Sequence, residues 1–362
     1  MHIAIGRAAT VHTAAVYTAT PRHPVAAHTA RERTRMTMPT NQPASTLGEV
    51  TPHTPATGTT GGTGATGETT PHTSTTAKPA TPVQSANQSS IEPAATMVLR
   101  LGYQGEQFAG YAFQEGQRTV EGCVRDVLQR VLRRDVTLTC AGRTDAGVHA
   151  HAQYVSFPVT HEECARAKSS LLRSLNMLCP ADIAIRTIYQ AAPDFSARFD
   201  ACSRSYTYRI ATAPLKPVLT APFVWWNRHV HHVCMDDMNA AAQALIGEHN
   251  FESFCKATSA DVLKSQGLSL QRCITSINVH RDYVLGEQLI CIDIEGNAFL
   301  HNMVRIIAGS LLEVGRGARS VAWLGDVLAA RTRTAAAQTA PACGLTLEHV
   351  AYPAQTLTPW HE

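Results

Sequence analysis

No run of about 18 uncharged apolar residues occurs in this 362-residue chain, so it has no segment able to cross a bilayer as a helix. The longest apolar helix candidate, near Met303 to Val314, contains Arg305 and is followed by Gly315 and Arg316. No Cys-x-x-Cys pair is present among the ten cysteines, which removes the usual spacing of a structural zinc site or a thioredoxin-like redox motif. Several cysteines sit at apolar positions of periodic segments and read as reduced thiols in a cytosol-like compartment. A strong charge of one sign is also missing. Lys plus Arg is 31 and Asp plus Glu is 28, a net charge of +3. Bulk charge therefore neither establishes nor excludes a nucleic-acid partner.

Aromatic residues are scarce in one region above all. Tyr17 is the only Phe, Trp or Tyr in residues 1–96, where threonine recurs with Pro, Gly, Ala and Ser. Such a segment cannot bury enough apolar area to offset its ordering entropy, and it reads as a disordered tail. Two further readings stand beside disorder. In one, translation starts inside the tail, at Met36, Met38 or Met97; in the other, the Arg- and Thr-bearing start, whose first acidic residue is Glu32, is an organelle transit peptide. The apolar residues there show no sustained helical stripe, which favours disorder or an internal start and a cytoplasmic protein.

From Met97 the sequence is densely patterned. Met97, Leu99, Leu101 and Tyr103 alternate as in a half-buried strand. Thr119 is placed to cap a helix running to Arg133, with Val120, Val124, Val127, Leu128, Val131 and Leu132 on its apolar face. Val136, Leu138 and Cys140 predict a strand, and Gln153 to Phe157 a second one paired with it. Ile183, Ile185 and Ile188 mark a strand with a turn or bulge, and Tyr206, Tyr208 and Ile210 share one face of another. Met238, Ala241, Ala242 and Leu245 line a helix that Gly247 ends. Adjacent strands are expected at 274–279 and 289–294, then a helix over 300–314 stopped by Gly315. The repeated order predicts an α+β protein of two similar halves, 97–205 and 206–362.

The chemical signal lies after Cys140, in Ala141-Gly142-Arg143-Thr144-Asp145-Ala146-Gly147-Val148-His149. Gly142 and Gly147 allow a sharp turn and close approach to a ligand. Val148-His149 stands where a phosphate-binding loop needs Lys and Ser or Thr, so no nucleoside-triphosphate loop is present. The loop offers one carboxylate, Asp145, beside a guanidinium. The spacing alone leaves two readings: Asp145 caps a turn, or it is a nucleophile toward a sugar carbon or an electrophilic ring.

Residues 97–362 resemble the tRNA pseudouridine synthase A family. The nine residues from Ala141 to His149 carry the core of the likeness. Supporting segments are Tyr103-Gln104-Gly105 with Gly110, Arg118 to Gly122, Leu175-Asn176 with Pro180 to Ala184, Phe195 to Phe199, Arg204 to Tyr208, Phe251 to Phe254, Asn297 to Arg305, and Gly344-Leu345. Three places depart from the family pattern: Gln104 replaces Asp, Tyr111-Ala112 replaces Trp-Gln, and residues 257–271 match poorly.

The resemblance implies the pseudouridine synthase fold, α+β, with mainly antiparallel sheets flanked by helices around a central cleft. It implies that uridine in the tRNA anticodon arm, at positions 38, 39 and 40, is isomerised without cofactor or metal by a homodimer. Asp145 would be the nucleophile, and Arg305 would pair with it and hold it ionised. Tyr206 would stack on the target uracil, Leu345 would pack against it, and Arg143 would help displace it. The step taken by Asp145 stays open: attack at C1′, attack on the ring, or removal of a 2′-proton. Phosphate contacts would come from Arg198 and Arg204, from Arg130, Arg133 and Arg134, and from Arg316 and Arg319. The competing readings are a catalytically silent RNA-binding relative and a metal-dependent hydrolase using His149, His151 and the histidines at 229, 231 and 232.

Overall fold

Thr119 starts the first helix as its spacing requires: its side chain accepts a hydrogen bond from the Gly122 amide at 3.2 Å. The computed structural model describes residues 93–165, 168–230 and 232–360; the tail before residue 93, and with it the three readings of that tail, lies outside them, as does His231. In chain order the elements are β1 (Ala95–Tyr103), α1 (Val120–Leu132), β2 (Thr139–Cys140), β3 (His149–Val159), α2 (His161–Ala165), α3 (Lys168–Leu178) and β4 (Ile183–Ala191). They continue with β5 (Ser203–Ala211), β6 (Trp225–Trp226), α4 (Met235–Ala242), β7 (Gly247–Asn250), α5 (Ala257–Ser265) and β8 (Gln271–Val284). The last are β9 (Glu287–Gly296), α6 (Met303–Gly315), α7 (Trp323–Ala330), β10 (Leu345–Ala351) and β11 (Thr358–Pro359).

All the described strands join in one sheet, in the order β11-β4-β1-β3-β10-β5-β9-β8-β7, with β2 on β3 and β6 on β5. The fold is α+β, as the element order predicts. The central strand comes from far along the chain. β10 lies parallel to β3, with Leu347 opposite Ala150, and antiparallel to β5, with Leu347 opposite Tyr206. It fills the seam between the strands before residue 192 and those after residue 202. The bulge expected in β4 is present: the β1–β4 register shifts between Arg100 and Leu101, leaving Arg186 unopposed.

Two expectations need correction. β1 is not half-buried, because both of its faces are covered. Its second face carries Val98 beside Tyr189, and Arg100 beside Tyr154. Tyr352 packs edge-on to Tyr154 with ring centroids 5.3 Å apart, and against Phe195, so residues beyond β10 close that side. The strand expected over 136–140 shrinks to Thr139–Cys140, with Val136 buried in the core instead of paired in the sheet.

The helix near Met303 is apolar over most of its surface because every residue of it except Arg305 and Glu313 is buried. The segment after α7 crosses it at Gly309, where a Cβ would sit 2.3 Å from the Gln338 carbonyl oxygen. That close approach lets the Ala337 amide donate to Ser310 Oγ at 3.2 Å. It also lets the Ala340 amide donate to the Arg305 carbonyl at 3.2 Å.

Candidate active site

The loop joining β2 to β3 opens at the seam. Gly147 has φ +80°, a left-handed conformation that glycine adopts without a Cβ clash, and the Val148 amide donates to the Asp145 carbonyl at 3.2 Å. The loop is fastened from several directions. The Tyr111 amide donates to the Thr144 carbonyl at 3.0 Å, and the Tyr103 hydroxyl lies 2.8 Å from Thr144 Oγ1. Gln153 Nε2 donates to the Gly142 carbonyl at 2.6 Å.

The strongest fastening comes from β5. Arg204 is only 8% exposed, and its Nη2 donates to the Ala141 carbonyl at 2.9 Å and to the Arg198 carbonyl at 2.6 Å. Its Nη1 donates to the Asn297 carbonyl at 2.6 Å and the Ala201 carbonyl at 3.1 Å. Burial lowers its pKa from the ordinary arginine value. The expectation that Arg204 contacts phosphate is therefore corrected: its donors are spent on carbonyls that position the cleft.

Asp145 faces a guanidinium and an imidazole from the far half of the chain. Arg305 Nη1 lies 3.2 Å from Oδ2, and His301 Nε2 lies 3.4 Å from Oδ1. Arg305 is itself oriented by two acceptors. Its Nε donates to the Ala340 carbonyl at 2.8 Å, and its Nη1 donates to Asn302 Oδ1 at 2.9 Å. Asn302 precedes α6 in a left-handed conformation, φ 65°. The pair is partly open to solvent, so as a stabilising ion pair it contributes about 1 kcal/mol or less. Its consequence is geometric: a carboxylate held at fixed orientation in an open cleft.

The cleft has a volume of about 910 Å³ and brings Asp145, Arg305, Tyr206, Arg143, Leu345 and Arg198 to one wall system. Tyr206 comes from β5 and Leu345 from the first position of β10, one strand away. The Tyr206 ring meets Phe299 edge-on, with centroids 5.2 Å apart and planes at 85°, an arrangement contributing about 1 kcal/mol that fixes the ring. Burial pushes the Tyr206 hydroxyl well above the ordinary tyrosine value, and the nearby Tyr103 and Asp145 add to it. The hydroxyl therefore stays protonated and the ring presents a neutral face. Arg143 and Arg198 are exposed. Five arginines line the cleft against two carboxylates, Asp145 and Glu121. A chain with net charge near zero thus concentrates positive charge at one place, which favours a polyanionic ligand.

The other basic residues divide. Arg134 is held by Glu163 at 2.7 Å, Arg316 pairs with Glu313, and Arg319 lies over the Trp323 ring at 5.1 Å. Arg130 and Arg133 are exposed on or just beyond α1. Of the histidines weighed as metal ligands, His149 is buried with Nδ1 accepting from the Gly105 amide at 3.0 Å, while His151 turns to Glu348 at 3.6 Å. Among the described residues no cluster of three or more His, Cys, Asp or Glu is placed to hold a metal.

Sequence reasoning missed His301, although it stands inside the segment Asn297 to Arg305. Its Nδ1 lies 2.8 Å from Ser259 Oγ on α5, and its carbonyl accepts from the Lys256 amide at 3.0 Å. Ser259 lies in the poorly matching stretch 257–271, and no sequence signal marks it. The departure at Tyr111 is a buried ring in the cleft wall.

A sequence profile of the tRNA pseudouridine synthase family matches residues 241–353. Three curated relatives named tRNA pseudouridine synthase A extend the likeness. The protein from Streptomyces griseus is 38% identical over 271 residues, covering 74% of this chain and 91% of the relative. That from Cronobacter sakazakii is 37% identical over 270 residues, covering 74% and 94%. That from Methylococcus capsulatus is 38% identical over 258 residues, covering 71% and 89%. A likeness of this depth over nearly the whole of each relative settles the family: the chain belongs to the tRNA pseudouridine synthases, an enzyme family of isomerases acting on tRNA.

Proposed function

We propose that this chain isomerises uridine to pseudouridine in the anticodon stem-loop of tRNA, at positions 38, 39 and 40, with Asp145 as the nucleophile and no cofactor. The observation that supports it most directly is the Asp145–Arg305 contact at 3.2 Å in a basic cleft walled by Tyr206 and Leu345. The bond from C1′ to N1 breaks and one from C1′ to C5 forms. N1 gains a proton and C5 loses one, so the reaction needs neither oxidant nor energy input. Asp145 engages the nucleoside, and Arg305 keeps the carboxylate aimed. Tyr206 and Leu345 hold the uracil from its two faces while it turns, and Arg143 occupies the gap left in the RNA. Arg198 binds backbone phosphate.

The halves 97–205 and 206–362 are read as two contributors to one site: the first supplies the Asp145 loop, the second Tyr206, Arg305 and Leu345. Cation-dominated contacts make RNA binding fall steeply with salt. The protein acts in the cytoplasm as a homodimer. Support for self-association comes from Leu215, Val218, Leu219, Tyr283 and Leu285, all well exposed. They are drawn together because Glu287 accepts from the Val218 amide at 2.9 Å and from the Thr220 hydroxyl. Light scattering should give twice the chain mass, and a monomer would refute that part.

The reaction is tested by mapping pseudouridine in unmodified tRNA after incubation with the native chain and with Asp145→Asn. Product at positions 38 to 40 from the native chain alone is expected. No product from the native chain would favour a silent RNA-binding relative.

A further inference from the structure

Phe199 is the most conspicuous side chain that the proposed reaction leaves unused. It lines the cleft that holds Asp145, yet it is 79% exposed. Here the backbone is held on every side. The Phe199 amide donates to Ser196 Oγ at 3.4 Å, and the Asp200 amide to the Ser196 carbonyl at 3.1 Å. Asp200 Oδ2 accepts from the Ser196 amide at 2.7 Å. The Ala197 amide donates to Ser156 Oγ at 3.0 Å, and the Tyr352 hydroxyl to the Ala197 carbonyl at 2.7 Å. The Arg198 carbonyl is gripped by Arg204 at 2.6 Å, the same guanidinium that grips the Asp145 loop through Ala141. The aromatic ring and the carboxylate are therefore tied to one buried side chain. Arg198 adds a charge 5.3 Å from the ring centroid.

A rigid, solvent-facing aromatic with a guanidinium beside it, at the mouth of a basic cleft, has the chemistry of a nucleobase-stacking platform. A base that enters the cleft must leave its own stack, and its former neighbour then exposes a π-face that needs covering. Resting on the reading of the cleft as an RNA site, we propose that Phe199 stacks on a nucleobase flanking the uridine that enters the cleft, with Arg198 on the adjoining phosphate. Phe199 is then a binding residue for the substrate RNA and takes no part in bond making.

The test crosses protein variants with RNA variants. Unmodified tRNA is compared with tRNAs carrying an abasic site on either side of the target uridine, using the native chain, Phe199→Ala and Phe199→Trp. Stacking contributes roughly 5- to 150-fold in affinity per base, so Phe199→Ala should raise KM by a factor in that range with kcat little changed. Phe199→Trp should restore binding. On one of the two abasic tRNAs, native and Phe199→Ala proteins should bind alike, because the partner base is gone. Three results would overturn the proposal: Phe199→Ala equal to native on intact tRNA, a loss of the same size on both abasic tRNAs, or a change of oligomeric state in Phe199→Ala. Absence of pseudouridine from the native chain would instead refute the functional reading, so the two failures are distinguishable. Because the ring is exposed, the alanine variant should melt like the native protein.

Discussion

Arg204, near the start of β5, holds the carbonyl of Ala141, the residue that opens the loop carrying Asp145, at 2.9 Å. A cation buried without a carboxylate partner is costly unless every donor is used, and Arg204 uses its donors on four carbonyls. Removing it leaves those carbonyls unsatisfied. Arg204→Ala should lose on the order of 3 kcal/mol of stability in denaturant unfolding, with conversion of tRNA falling as well. Arg204→Lys should recover little, because a point charge cannot reproduce the planar fork.

Gly309→Ala offers a contest between two effects of opposite sign. Alanine favours a helix interior by about 1 kcal/mol. Its Cβ would lie 2.3 Å from the Gln338 oxygen, however, and overpacking of this kind costs roughly 1–3 kcal/mol. The clash should win. Thermal melting should show a lower Tm, and activity should fall because displacement of 338–340 removes the Ala340 carbonyl from Arg305.

His301 and Ser259 act on Asp145 in series. Loss of one charge-assisted contact of about 1.4 kcal/mol corresponds to roughly tenfold in rate. His301→Ala should lower kcat by that order, Ser259→Ala by less, and the double variant no further than His301→Ala. Steady-state kinetics on the three variants would refute the series if the effects simply add.

Burial pushes the Cys140 thiol up to about 11, with Glu121 adding to the shift and Arg143 and Arg198 opposing it. The group is a protonated thiol below that pH and a nucleophilic thiolate only above it. At pH 8 iodoacetamide should therefore leave Cys140 unmodified in the folded protein while the exposed Cys202 and Cys234 are alkylated. Peptide mass spectrometry with and without denaturant provides the check.

The helix from Thr119 was legible because cap, apolar stripe and end coincide within fifteen or so residues, a range over which local spacing governs structure. The turn between Gly142 and Gly147 was legible for the same reason, whereas the assignment of Asp145 as a nucleophile came from the resemblance alone. The covered second face of β1 was not, because the residue that closes it, Tyr352, lies far along the chain and no local pattern announces it. Arg204 illustrates a second blindness. Alternation places it on the face of Tyr206 and Tyr208, the buried face, yet an arginine reads by habit as a surface charge. His301 was hidden by company: it stands four residues before Arg305, whose role the resemblance supplied, and its own partner Ser259 lies where the sequence departs from the family.

The position of β10 between β3 and β5 has a consequence for biosynthesis. Asp145 is translated well before the strand that unites the two sides of its crevice. Without Leu345–Ala351, β3 and β5 lack the strand that pairs with both, and the cleft lacks Leu345. The two sides of the crevice are thus joined only in a chain that has been made through Ala351.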